Sequence, residues 1–224
     1  MQPPMGDAWF RLAAYCAVRY RTSTVTLTYL EENKWRASCC PASQGPGRRR
    51  VTGTGSYQRL LELKNGRPVH VRPIRPDDEP RLHEAFSRMS ERSVYFRFFS
   101  PLKRLPEAMA RRFARVDYDQ RFALVATTHR PDGKEHILGV ARYDVASGTS
   151  TAEVAVTVVD EVQRQGIGSG LLRLLGDVAR EHGVKEFSLV VLPENQSMLG
   201  LLRKMGWIHE AHRVGGVYEI TFKP

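Results

Sequence analysis

Cysteine is scarce in this chain: it has three, Cys16, Cys39 and Cys40, and none beyond residue 40. No pair has CxxC spacing, which disfavours a disulfide scaffold, a zinc ribbon and, in the long remainder, a cysteine nucleophile. A reducing cytoplasm is the natural setting for such usage. Long apolar runs are also missing; none approaches the roughly 18 residues of a membrane span. The N-terminus lacks a basic segment, and Asp7 and Arg11 break its short apolar patch, which argues against a secretory signal. His70, His83, His129, His136, His182, His209 and His212 show no common cluster or ligand spacing, so no metal is expected. There is no internal repeat.

Charge of one sign is in excess, at +10, but unevenly. Residues 1–66 carry 10 basic and 4 acidic side chains, against 24 and 20 in residues 67–224. The later part is therefore only mildly basic, which suits a mixed, solvated surface or attraction of an anionic ligand. The arginine run Arg48-Arg49-Arg50 has no interleaved aromatics, so nucleic-acid binding is disfavoured.

Residues 1–66 read as an irregular basic extension, largely disordered, with Pro3-Pro4 and a turn-like stretch from Pro41 to Gly47. Within it, residues 56–64 read as a short helix. Residues 67–224 read as a folded domain. Val69–Ile74 alternates like a strand. Three short helices follow: one after Pro76-Asp77-Asp78, one over Ser90–Phe99 and one marked by Met109, Phe113 and Val116. Phe122–Thr127, Ile137–Tyr143 and Ala152–Val159 read as strands, with Pro131-Asp132-Gly133 as the first turn. Gly166–His182 is an amphipathic helix, Phe187–Leu192 a buried strand and Ser197–Lys204 a helix. Trp207–His212 and Val217–Phe222 read as a hairpin about Gly215-Gly216. The order β-α-α-α-β-β-β-α-β-α-β-β is not simple β/α alternation. It predicts an α+β fold: a mixed, mostly antiparallel sheet flanked by helices.

The chemistry concentrates at Gln163-Arg164-Gln165-Gly166-Ile167-Gly168-Ser169-Gly170, between a strand and a helix. A glycine-rich turn there leaves backbone N–H groups without partners at the positive end of a helix dipole, a site for phosphate. A dinucleotide fingerprint would need glycine where Leu171 stands, and a P-loop needs a lysine that does not follow Gly170. The spacing that fits is Q/R-x-x-G-x-G/A, from Gln163 through Gly166 to Gly168. The N–H groups of Gln165, Gly166, Ile167, Gly168, Ser169 and Gly170 are candidate phosphate donors, with the Ser169 hydroxyl and the Arg164 guanidinium in support.

This motif resembles that of the GNAT acyltransferases, which hold the pyrophosphate of acyl-coenzyme A. The resemblance extends over about residues 67–224. Arg72-Pro-Ile-Arg-Pro-Asp-Asp78 is similar to the opening of many GNAT domains. Ser90-Glu-Arg-Ser-Val-Tyr-Phe-Arg-Phe-Phe-Ser100 is similar to bacterial protein-lysine acetyltransferases that modify AMP-forming acyl-CoA synthetases. Glu194-Asn195 with Leu202–Trp207 resembles a second cofactor motif. The resemblance implies the GNAT fold, acetyl-CoA as co-substrate without a metal, and an acceptor lysine on a protein. It implies that Thr157, Val158 and Val159 offer backbone to the pantetheine arm and that Asn195 bonds that arm; Asn195 also reads as a helix cap. No regulatory domain or tyrosine general acid is recognisable, and Ser197 is a weak substitute.

Acetylation of lysine needs a neutral amine, and near neutral pH about one lysine in a thousand or fewer is neutral. A nearby carboxylate can take the proton. Glu153 is the candidate, lying in the apolar stretch Ala152–Val156, where a lone carboxylate is costly to bury. The resembled family places its proposed general base there. Asp160 and Glu161 read as turn residues. A small amine as acceptor, or an acyl-CoA-binding module without catalysis, is the alternative.

Overall fold

Strand Arg121–His129 (β3) is buried almost throughout, from Phe122 to Thr127, as expected of a central strand covered on both faces. Around it, the computed structural model builds one eight-stranded sheet; it describes residues 57–129, 133–146, 148–208 and 210–224. The cysteines, the arginine run and most of the expected Pro131–Gly133 turn lie outside the described residues.

The other strands are Arg59–Glu62 (β1), Pro68–Pro73 (β2), Glu135–Val145 (β4), Thr151–Val158 (β5), Glu186–Val191 (β6), Glu210–Val214 (β7) and Val217–Phe222 (β8). Their order is β1-β2-β3-β4-β5-β6-β8-β7, antiparallel except between β5 and β6. The helices are Glu79–Ser87 (α1), Glu91–Phe98 (α2), Glu107–Ala114 (α3), Ile167–Glu181 (α4) and Gln196–Lys204 (α5). This is the mixed, mostly antiparallel sheet with flanking helices that the sequence predicts.

Helix α4 buries Ile167, Leu171, Leu172, Leu175, Val178 and Ala179, a stripe at helical spacing. It lies on the face that carries Gly139 of β4. A Cβ at Gly139 would sit 3.1 Å from Ile167 and 3.0 Å from the Thr157 carbonyl, so glycine lets helix and strand approach. The opposite face carries Arg142, whose guanidinium lies 4.4 Å above the Phe113 ring of α3.

The helix expected over residues 56–64 is corrected. Arg59–Glu62 is a strand paired antiparallel to β2, so the sheet begins inside the supposed extension. Leu60 is left 62% exposed on this edge, whereas Leu61 packs inward; that is alternation, not a helical face. The signal was present in Asn65-Gly66, a hairpin dipeptide, and Gly66 adopts φ +78°. The last hairpin turns through Gly215 and Gly216, at φ +57° and +87°. Its first strand starts at Glu210 rather than at Trp207, whose ring instead stacks on Phe222 at 4.9 Å.

The opening motif has a structural use. Arg72 forks onto both oxygens of buried Asp78 at 2.7 Å and onto Glu135 at 2.9 and 2.7 Å. The bonds from Arg72 hold the Glu135 carboxyl down at about 2, outweighing the effect of its burial.

Candidate active site

The loop ahead of α4 is an uncapped helix start. Gly166 is its N-cap, at φ +103°, and no side chain caps it; no acidic residue stands in the first turn. The N–H groups of Gly166, Ile167, Gly168 and Ser169 therefore lack helical partners, and the dipole's positive end is not neutralised locally. Two expected donors are corrected. The Gly170 N–H bonds the Gly166 carbonyl at 2.9 Å, the first bond of the helix ladder. The Ser169 hydroxyl donates to the same carbonyl at 2.9 Å.

At position 170 a Cβ would lie 2.6 Å from the tip of the Leu61 side chain of β1, so a larger residue there displaces that side chain. At Gly168 it would meet only ordinary contacts, 3.5 Å from Leu201 and 3.7 Å from Val158, consistent with a G/A position. Arg164, exposed, is itself at φ +62°. The β1–β2 turn braces the loop, with Lys64 N–H on the Gln165 carbonyl at 3.1 Å and Asn65 on the Gln165 side chain at 2.9 Å.

Beside the loop, two strands part. β5 and β6 pair only from Thr151↔Glu186 to Glu153↔Ser188, although β5 runs on to Val158 and β6 to Val191. Antiparallel alternation decides which β5 groups face the gap. The Val159 N–H bonds the Leu138 carbonyl at 2.9 Å, so by alternation Thr157 also directs its backbone at β4. Val156 and Val158 point theirs the other way, and the Val158 carbonyl is taken by the Gln163 side chain at 3.0 Å. Of the expected Thr157–Val159 set, only Val158 thus offers an N–H to the gap. Thr157 and Val159 are corrected, and Val156 joins by a parity that side-chain type could not reveal.

Glu153 is the last β5 residue paired with β6, where the gap opens. Its side chain is exposed, so the expected burial cost does not arise. It stands opposite Asp144 of β4 and feels the charge of Arg97 on α2. Burial pulls the Arg97 pKa down to about 10, helped by Arg142 and opposed by Glu153 and Asp144. Asn195 caps α5, its side-chain oxygen accepting from Met198 N–H at 3.1 Å.

Asp160 reads as a turn residue in the sequence, yet in the fold it binds three groups at the start of α2. Oδ2 accepts from Ser90 N–H at 2.8 Å, and Oδ1 accepts the hydroxyls of Ser90 and Ser93, each at 2.8 Å. Burial tends to raise its pKa, but these bonds outweigh it and bring the pKa down. Gln163 donates to Ser93 Oγ at 3.2 Å, and Glu161 receives Arg88 at 3.2 and 3.0 Å. The signal available was Ser90-x-x-Ser93, a capped helix start, but its long-range partner is not legible in a linear pattern.

The sequence and the fold are both shared with known proteins. The acetyltransferase (GNAT) domain family matches residues 69–208. An acetyltransferase of Pseudomonas aeruginosa is 33% identical over 65% of this chain and 78% of its own length. The acetyltransferase Pat of Mycolicibacterium smegmatis is 30% identical over 67% of this chain but 45% of itself, so the chain spans about half that relative. The crystal structure of the GNAT domain of Streptomyces lividans PAT superposes with a TM-score of 0.68 at 32% identity, covering 75% of this chain and 97% of that domain. The loop, the strand gap and these likenesses agree: the chain belongs to the GNAT acetyltransferase family.

Proposed function

We propose that this protein transfers an acetyl group from acetyl-CoA to a lysine side chain of a protein, with an AMP-forming acyl-CoA synthetase as the first substrate to test. The carrying observation is the continuity of the uncapped α4 start with a strand gap that opens at a carboxylate, Glu153. Acetyl-CoA supplies the activated acyl group. The N–H groups of Gly166, Ile167, Gly168 and Ser169 suit its pyrophosphate, with Arg164 adding charge at the rim. Backbone groups of Val156 and Val158 suit its amide-bearing arm, and the Asn195 amide nitrogen remains beside its capping oxygen for the same use. Glu153 takes the proton from the incoming ammonium. We place the activity in the cytoplasm; among the described residues no helix is long and apolar enough to cross a membrane.

The protein-lysine reading rests on the Ser90–Ser100 motif and on similarity to the two proteins named Pat. Incubating purified acyl-CoA synthetases with enzyme and acetyl-CoA, then mapping acetyl-lysine by mass spectrometry, tests it. Stoichiometric modification of one lysine is expected. Turnover of polyamines or amino acids with no protein modified would replace this reading by the small-amine one.

A further inference from the structure

Asp160 joins the turn before the phosphate loop to helix α2. It stands in the turn between β5 and the phosphate loop, and its carboxylate grips the N-terminus of α2 through Ser90 and Ser93. The same Ser93 hydroxyl accepts from Gln163, the first residue of the loop motif, whose amide also holds the Val158 carbonyl at the strand gap. Ser93 and Arg97 are four residues apart and so share one helical face. Helix α2 packs on β5, and Arg97 interacts electrostatically with Glu153 of that strand. A negative charge at a helix N-terminus is favourable, and the three bonds it receives are charge-assisted.

On the reading that the loop binds acetyl-CoA, we propose that Asp160 is a positioning residue that couples occupancy of the phosphate loop to the seating of α2 against β5. Ordering the loop around an anion holds Gln163 and Asp160 in place, and both grip α2. By reciprocity, seating α2 favours the loop geometry that binds the anion.

Hydrogen exchange measured by mass spectrometry tests this without an acceptor, using coenzyme A itself as the probe. In the native chain, saturating coenzyme A slows exchange at the α4 start and, by about tenfold, across α2. Asp160→Asn and Ser93→Ala keep the protection at α4 but lose most of it at α2. Ser93→Thr, which retains the hydroxyl, restores it. Unchanged slow exchange in β3 and β4 shows that each variant is folded. Protection of α2 that persists in both Asp160→Asn and Ser93→Ala overturns the proposal, as does α4 protection in the native chain with none at α2. No protection at α4 at all overturns the coenzyme reading itself, and this proposal with it.

Discussion

Replacing Glu153 with glutamine removes the proton acceptor while keeping shape and hydrogen-bonding capacity. Because Glu153 is exposed, little stability is lost. It lies where β5 and β6 part, away from the α4 start, so acetyl-CoA affinity stays within about twofold. The rate is another matter. A lysine of pKa about 10.4 presents roughly one neutral amine in a thousand at about pH 7.4. Without a base the variant draws only on that fraction, so its ceiling deficit is about a thousandfold, or ~4 kcal/mol of barrier. That deficit shrinks about tenfold per pH unit and is only about tenfold near pH 9.4. Thiol release from acetyl-CoA, followed against an acceptor synthetase across pH, reads it directly. A deficit that does not change with pH would show that Glu153 binds the ammonium rather than deprotonating it. Full activity at neutral pH would remove Glu153 from the mechanism.

Other perturbations test the scaffold. Gly166→Ala meets no atom but forces a side chain onto φ +103°; a loss of about 1–3 kcal/mol in urea unfolding is expected, with weaker coenzyme A binding by calorimetry. Gly170→Ala gains about 1 kcal/mol of helix propensity but must displace the tip of the Leu61 side chain, which offsets part of that gain. In a Leu61→Ala background the whole gain remains, so the substitution is more stabilising there; the same stabilisation in both backgrounds would refute the contact. Glu135, held down at about 2 by Arg72, contributes stability that is complete above its unfolded value near 4.5 and is lost as pH falls toward 2. Acid unfolding of Glu135→Gln therefore has a shallower pH dependence in that window, and an unchanged profile would contradict the ion cluster.

Much of this architecture is legible along the chain. Ala152–Val159, Gly166–His182 and Phe187–Leu192 each announce their elements because strand and helix periods are local properties of consecutive side chains. The Gln163–Gly168 spacing is equally local, since a helix start, its glycine N-cap and its unpaired N–H groups lie within one turn. The strand at Arg59–Glu62 escaped because its alternation is short and its pairing partner is the edge of β2; Asn65-Gly66 was the clue that outweighed helix propensity.

The sequence by itself thus determined the element order from Pro68 onward, the fold class and the glycine-rich start of α4. Only the tertiary structure decided that β5 and β6 part after Glu153, that Val156 and Val158 rather than Thr157 and Val159 face the opening, and that Asp160 holds α2. Ladder parity, strand divergence and contacts across some 70 residues depend on how distant segments register, and residue type carries no record of that register.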